Sequence, residues 1–326
     1  MDRLRRVIRW IVGSLAPIWY PHLVYAAVAS SGPLLAKVDF HEYFETVSTS
    51  LSSLGSHKCE EAVRAANNIM SEGMLNATKR AHYHDLFELC NPLEDNKNDI
   101  GYLFLSLAIP FGSAAQYGEV GQIQHACEYM TDENIKCPVH RYAEYSKLTR
   151  MGQCLSHEFR NLVAFLKDTS LGVLFGARQW FYQTCTEFGW FMTSNRKNDL
   201  FGGKITIDFF DSICKDVYNI KFDTSFVERS VNETNLNYGG YNLPVTRVAF
   251  VHGINDPWSP LGIMKKPPKG SIAITIKGVA HCADMMPDQD TDSQPLKKAR
   301  ARISRILERW IKAKTSEHEE LSLADF

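Results

Sequence analysis

No run of the 326-residue chain approaches the ~18 consecutive apolar residues that a membrane span requires. Charge of neither sign prevails: 36 Lys and Arg face 37 Asp and Glu, a formal net charge of −1, which removes the electrostatic case for nucleic acid. Zinc-type spacing is missing too, because eight cysteines are scattered at 59, 90, 127, 137, 154, 185, 214 and 282 with no Cys-x-x-Cys or His-flanked pair. His82-Tyr83-His84 has metal-like spacing for a strand, but it lies in a helical, charged stretch without a third ligand. Leu200-Phe201-Gly202-Gly203-Lys204 lacks both the full spacing and the preceding strand of a phosphate loop. There is no fixed repeat period. What remains is a globular chain whose 44% hydrophobic content is ample for one large domain or two smaller ones.

The most specific chemistry lies between Val245 and Met285. Val245-Thr246-Arg247-Val248-Ala249-Phe250-Val251 is β-branched and apolar enough for a buried strand. It ends in the turn-rich His252-Gly253-Ile254-Asn255-Asp256-Pro257-Trp258, where Pro257 fixes φ and leaves Asp256 at the strand's carboxyl end. A second buried run, Ser271–Ile276, ends in Gly278-Val279-Ala280-His281-Cys282. An Asp and a His thus each follow a strand, at the edge where open α/β sheets hold their ligands. That order and placement suit the last two members of a Ser…Asp…His triad. The aspartate would hold the imidazole tautomer while the histidine moves the nucleophile's proton. The plainer alternative is a loop-capping aspartate and an ordinary loop histidine.

Along the rest of the chain, Val7–Val12 reads as a strand or, with Met1–Arg6, as a short basic and apolar leader that Asp2 and Arg9 spoil. Tyr25–Ser31 reads as another buried strand, closed by Gly32-Pro33. From Phe40 the period becomes helical: Phe40, Phe44, Val47, Leu51 and Leu54, then Val63, Ala66 and Met70. Helical patterns continue through Tyr102–Pro110, Ile123–Met130, His140–Thr149, Phe159–Phe165 and Ala177–Phe188, about 150 residues in all, which is domain-sized. A final helix starts near Ser293-Gln294-Pro295 and carries Leu296, Ala299, Ile303, Ile306, Leu307 and Trp310 as an apolar stripe suited to packing on a sheet. The acidic tail Glu317–Phe326 is expected to be loose.

Four stretches resemble one serine exopeptidase family, that of lysosomal Pro-X carboxypeptidase, dipeptidyl peptidase II and thymus-specific serine protease, with the thymus-specific type nearest. They are Asn255-Asp256-Pro257-Trp258-Ser259, Gly278–Met285 with Ala299-Arg300 and Trp310, Tyr182–Glu187, and Tyr20-Pro21-His22-Leu23-Val24 with Ala29–Pro33. The resemblance covers nearly the whole chain from about residue 7. It implies an α/β class, an incomplete α/β-hydrolase sheet with a large inserted helical cap. The corresponding division is 1–39 for the amino-terminal piece of the core, 40–200 for the cap, and 201–326 for the carboxyl-terminal part. It makes Asp256 and His281 the triad acid and base, places Trp258 in the pocket for the residue before the cut bond, and calls for no cofactor and no metal. It also suggests the disulfides Cys59–Cys127, Cys90–Cys154 and Cys185–Cys214, with Cys137 and Cys282 unassigned.

The family's nucleophile sits in a Gly-Gly-Ser-Tyr-x-Gly elbow. Here the strand runs into Gly13-Ser14-Leu15-Ala16-Pro17, and only five residues separate Ser14 from Tyr20. Either the nucleophile segment has no counterpart, or Ser14 takes its place with about two helical turns lost behind it. The implied function is a serine-type dipeptidyl-peptidase or carboxypeptidase acting on short, proline-containing peptides. The alternative is an inactive truncated or pseudo-enzyme form that retains the peptide-binding cap. A peptide substrate is the expected partner, with no nucleic acid, no membrane span and a homodimer left open. Eight cysteines and the sequons Asn76-Ala77-Thr78 and Asn232-Glu233-Thr234 suit a secreted or lysosomal glycoprotein, although the chain shows no convincing signal peptide.

Overall fold

The structure, a computed structural model, describes residues 16–118, 121–170, 176–196 and 199–324. The expected strand Val7–Val12 and Ser14 lie outside the described residues. Two compact units emerge: Met1–Leu35 with Tyr238–Phe326, and Ala36–Asn237. Among the described residues the strands are β1 (Ala27–Ser30), β2 (Lys37–Asp39), β3 (Gly189–Phe191), β4 (Val248–Gly253) and β5 (Ile272–Ile276). The α-helices that lie wholly within the described residues are α1 (Glu42–Ser50), α2 (His57–Gly73), α3 (Ala77–Phe87), α4 (Lys97–Tyr117), α5 (Gln122–Met130), α6 (Pro138–Thr149), α7 (Phe159–Lys167), α8 (Ala177–Gln183), α9 (Ile207–Val217), α10 (Thr224–Tyr238) and α11 (Gln294–Ala324). The α/β class read from the sequence is therefore the class of the structure, helices with two small parallel sheets.

In the first unit β1, β4 and β5 form a parallel sheet in the order β1-β4-β5. Ala29 pairs with Phe250, and Phe250 with Ala273. Central β4 is buried along its whole length, as a parallel strand covered on both faces must be. The strand alternation divides its residues between two cores. Val248 and Phe250 pack with Ala29, Leu34, Leu243, Val245 and Ile263. Ala249 and Val251 pack with Ile274, Ile276 and the α11 residues Leu296, Ala299 and Ile306. The apolar stripe of the last helix thus docks on the sheet.

β4 begins three residues later than its apolar pattern suggests. Arg247 takes a left-handed φ of 55°, which breaks the extended chain before Val248. Its guanidinium lies 4.3 Å from the centre of the Tyr25 ring while Nε donates to the Tyr25 carbonyl at 2.8 Å. The tail also differs from the loose segment expected, since α11 continues to Ala324. Lys, Glu, Ala and Leu, which dominate residues 312–324, all favour helix.

The second unit is helical, with β2 and β3 as a short parallel pair. Its helices start where the sequence supplies caps: Ser56, Asn76, Asn96 and Thr206 each accept a backbone N–H of the first turn. α4 does not stop at Pro110 but runs to Tyr117, because buried Phe111, Ala114 and Ala115 continue its packed face. Cys59–Cys127, Cys90–Cys154 and Cys185–Cys214 are disulfides, and Cys137 and Cys282 are free thiols. All three bridges lie within this unit.

Candidate active site

The loops that follow β4 and β5 cross at the sheet's carboxyl edge, and a glycine permits the crossing. A Cβ on Gly253 would stand 2.3 Å from the Val279 carbonyl oxygen and 2.7 Å from that of Ala280. The bare backbone lets the second loop pass directly over the end of β4. There Ile254 N–H donates to Ile276 O at 2.9 Å, and Asn255 N–H reaches Val279 O at 3.3 Å.

These backbone contacts set Asp256 and His281 face to face. Asp256 is fully buried and His281 is 9% exposed. His281 Nδ1 lies 2.9 Å from Asp256 Oδ2, and Asp256 Oδ1 accepts the Trp258 backbone N–H at 3.0 Å. Ser259 N–H closes the turn on the Asp256 carbonyl at 3.0 Å. In the neutral ring, an Nδ1–H donated to a carboxylate selects the tautomer whose Nε2 carries the acceptor lone pair.

Electrostatics separate the two histidines of this region. Burial disfavours a charged His281, but the Asp256 charge and hydrogen bond outweigh it, Cys282 adds to them, and the imidazole is pushed up to about 10. Burial also acts on His252, on β4, where the attraction of Asp256 is too weak to compensate and His281 repels; this ring is pushed down to about 4. Among the described residues neither His252 nitrogen has a hydrogen-bond partner, and the ring lies against Gly262, where a Cβ would be 2.0 Å from His252 Cε1. A neutral imidazole is the form this pocket tolerates.

A second acid adjoins the pair. Ser30 Oγ, at the end of β1, donates to Asp284 Oδ2 at 2.5 Å. Burial raises the Asp284 pKa, with Ser30, its own backbone amide, Arg300 and His281 partly offsetting the rise. Ser31, in a left-handed conformation with φ 53°, accepts the Cys282 N–H on Oγ at 2.9 Å. The end of β1 therefore grips the residues immediately after His281.

Of the residues singled out from the sequence, Asp256 and His281 are brought together. Trp258 is buried and tied through its backbone to the same carboxylate. Ser14 lies outside the described residues. His252, Ser30, Ser31 and Asp284 were not anticipated. His252 reads in sequence as a residue at a strand end, and Asp284 follows His281 by one turn of chain with no motif of its own.

Residues 12–303 match the family described as serine carboxypeptidase S28. The chain is 34% identical over 319 residues to the thymus-specific serine protease of Mus musculus, covering 92% of this chain and 62% of that protein. It is 30% identical over 312 residues to the putative serine protease K12H4.7 of Caenorhabditis elegans, covering 90% and 61% respectively. It is 24% identical over 327 residues to the lysosomal Pro-X carboxypeptidase of Pongo abelii, covering 92% and 62%. The chain spans about three fifths of the length of these relatives, 61% and 62%.

Proposed function

The chain belongs to the serine carboxypeptidase S28 family, and from that premise we propose that it carries the acid–base half of a serine-type exopeptidase acting on short, proline-containing peptides. Asp256 orients and stabilises His281, and His281 takes the nucleophile's proton and returns it to the leaving group. Trp258 contributes to the pocket for the residue before the cut bond. The observation that carries this reading is the 2.9 Å contact between His281 Nδ1 and Asp256 Oδ2, buried at the ends of two neighbouring parallel strands. The same reading takes Met1–Leu35 with Tyr238–Phe326 as part of an α/β-hydrolase core, and Ala36–Asn237 as the helical domain inserted into it. Three disulfides and a relative named lysosomal favour a lysosomal or secreted protein, with exposed Asn76 and Asn232 as its glycan acceptors.

A second reading, a non-catalytic form that retains peptide binding, is favoured by one observation. Ser14 is followed by Leu15 and Ala16, without the glycine that lets an elbow take its strained turn. One experiment separates the two. The purified chain is incubated with a proline-containing peptide and, in parallel, with a serine-directed phosphonylating reagent. Stoichiometric labelling at Ser14, with hydrolysis abolished by Ser14→Ala and by His281→Ala, supports the exopeptidase. Peptide binding without labelling or hydrolysis supports the non-catalytic form.

A further inference from the structure

His281 is carried by residues 277–293, the connection between β5 and α11, in which the described backbone has only the short 3-10 turn Ala283–Met285. A catalytic imidazole needs its ring held to a fraction of an ångström, and loop backbone does not supply that by itself. One side chain supplies several of the missing restraints. Arg300, on the second turn of α11, is 15% exposed at its side chain and reaches back across this connection. Its Nη2 donates to the Ala283 and Met286 carbonyls, each at 2.9 Å, and its Nε to the Asp284 carbonyl at 3.2 Å. Its Nη1 pairs with Asp288 Oδ1 at 2.7 Å and with Asp292 Oδ2.

We infer that Arg300 is a positioning residue, a five-point guanidinium clamp that holds the loop after β5 so that the His281 ring stays on Asp256. The planar fork of arginine suits this, because five donors in fixed directions can engage carbonyls and carboxylates from one loop at once. Lysine would bring the same charge without the fork. The clamp has an anchored base: Ala299, the neighbouring residue on α11, is buried in the sheet core with Val251, Ile274 and Ile276. It also has an opposing hold, since Ser30 on Asp284 and Ser31 on the Cys282 amide fix the other side of the loop to the end of β1. Arg300 therefore links α11 to the His281 loop, and the two serines link that loop to β1. This inference rests on the pairing of His281 with Asp256 proposed above, and not on turnover.

The test reads the pair itself. In proton NMR of the full chain, an imidazole Nδ1–H bonded to a carboxylate resonates far downfield, and its loss in His281→Gln assigns it. The clamp predicts that Arg300→Met loses this resonance through rapid exchange with water, and that Arg300→Lys shifts and broadens it. In both variants thermal unfolding should stay cooperative and hydrogen exchange within Ala36–Asn237 unchanged. If Arg300→Met fails to fold, Arg300→Lys decides. A folded variant whose resonance keeps its position and linewidth overturns the clamp while leaving the Asp256–His281 pair intact. A wild-type chain without the resonance overturns both. Loss of the resonance in the variants of a chain that hydrolyses no peptide supports the clamp and counts against the exopeptidase reading alone.

Discussion

The two units of this protein put their buried polar chemistry to different uses. The helical unit, Ala36–Asn237, holds three disulfides and a core of full-sized apolar side chains such as Phe40, Phe87, Phe104, Phe111 and Tyr142. Its fully buried Tyr142 is satisfied by the Leu107 carbonyl at 2.8 Å. The sheet unit has no disulfide among its described residues, and its only described cysteine, Cys282, is a free thiol. Around β4 it buries Asp256, His281 and His252, with Asp284 and the stem of Arg300 beside them. The helical unit is built for cross-linked stability. The helical unit buries Glu60, Arg80, His157 and Asp199 as well, but the sheet unit sets its buried Asp256 and His281 directly against each other at two strand ends.

The comparison breaks most sharply at Asp256. Asp256→Asn should lower any peptide hydrolysis by about ten-thousandfold, because it reverses the hydrogen bond that selects the His281 tautomer. The full truncation Asp256→Ala should also cost the sheet unit about 3–5 kcal/mol by leaving a buried imidazole unpaired. Chemical denaturation followed by hydrogen exchange should place that loss in the sheet unit alone.

Reduction attacks the other side. The bridges span 68, 64 and 29 residues, and opening each should cost on the order of 4 kcal/mol on the chain-entropy argument. Hydrogen exchange with and without a reductant should show the loss of protection between residues 59 and 214, with β4 and β5 still protected. Equal loss in both units would mean that they unfold as one.

Within the sheet unit, pH should act in opposite senses at its two histidines. His252 has a folded pKa near 4, below the ~6.5 of an unfolded histidine, so the unfolded chain binds the proton more readily. Stability is therefore intact above about pH 6.5 and falls by on the order of 3 kcal/mol as pH drops towards 4. His281 has a raised folded pKa, near 10, so its contribution is present below about pH 6.5 and lost as pH rises towards 10. Stability measured against pH should pass through a maximum near neutrality. His252→Asn should reduce the acid limb, and an acid limb unchanged in that variant would show that His252 does not supply it.

The smallest effect expected is at Gly262. A methyl there would meet a rigid ring at 2.0 Å, so Gly262→Ala should destabilise by about 1–3 kcal/mol. Adding His252→Ala should recover most of the loss, because the clash is with that imidazole. A double-mutant cycle from melting temperatures measures the coupling.

Much of the fold was legible in the sequence because secondary-structure patterning is local. The strand ending at Ile276, the 3-4 stripe from Leu296 to Trp310 and the helices over 122–130, 138–149 and 159–167 appear where their periods place them. Elements were missed where tertiary contacts decide. β2 and β3 are three residues each and join positions far apart in the chain, and α9 and α10 occupy residues 207–238, for which the sequence had offered no element. At the site, Asp256 and His281 were legible because each follows a recognisable strand. His252 was not, because a histidine at a strand end looks the same in sequence whether water reaches it or not.

What the sequence determined by itself is therefore the placement of an aspartate and a histidine at two strand ends, while the three cysteine pairs came from the resemblance. Only the tertiary structure decided what those groups do to one another. Placing β4 between β1 and β5 brings the Asp256 and His281 loops across each other at Gly253, desolvates His252 against Gly262, and sends Arg300 back to the loop that precedes its own helix. Periodicity is set within a few residues of chain, whereas the field at an imidazole is set by whatever the fold packs within a few ångströms of it.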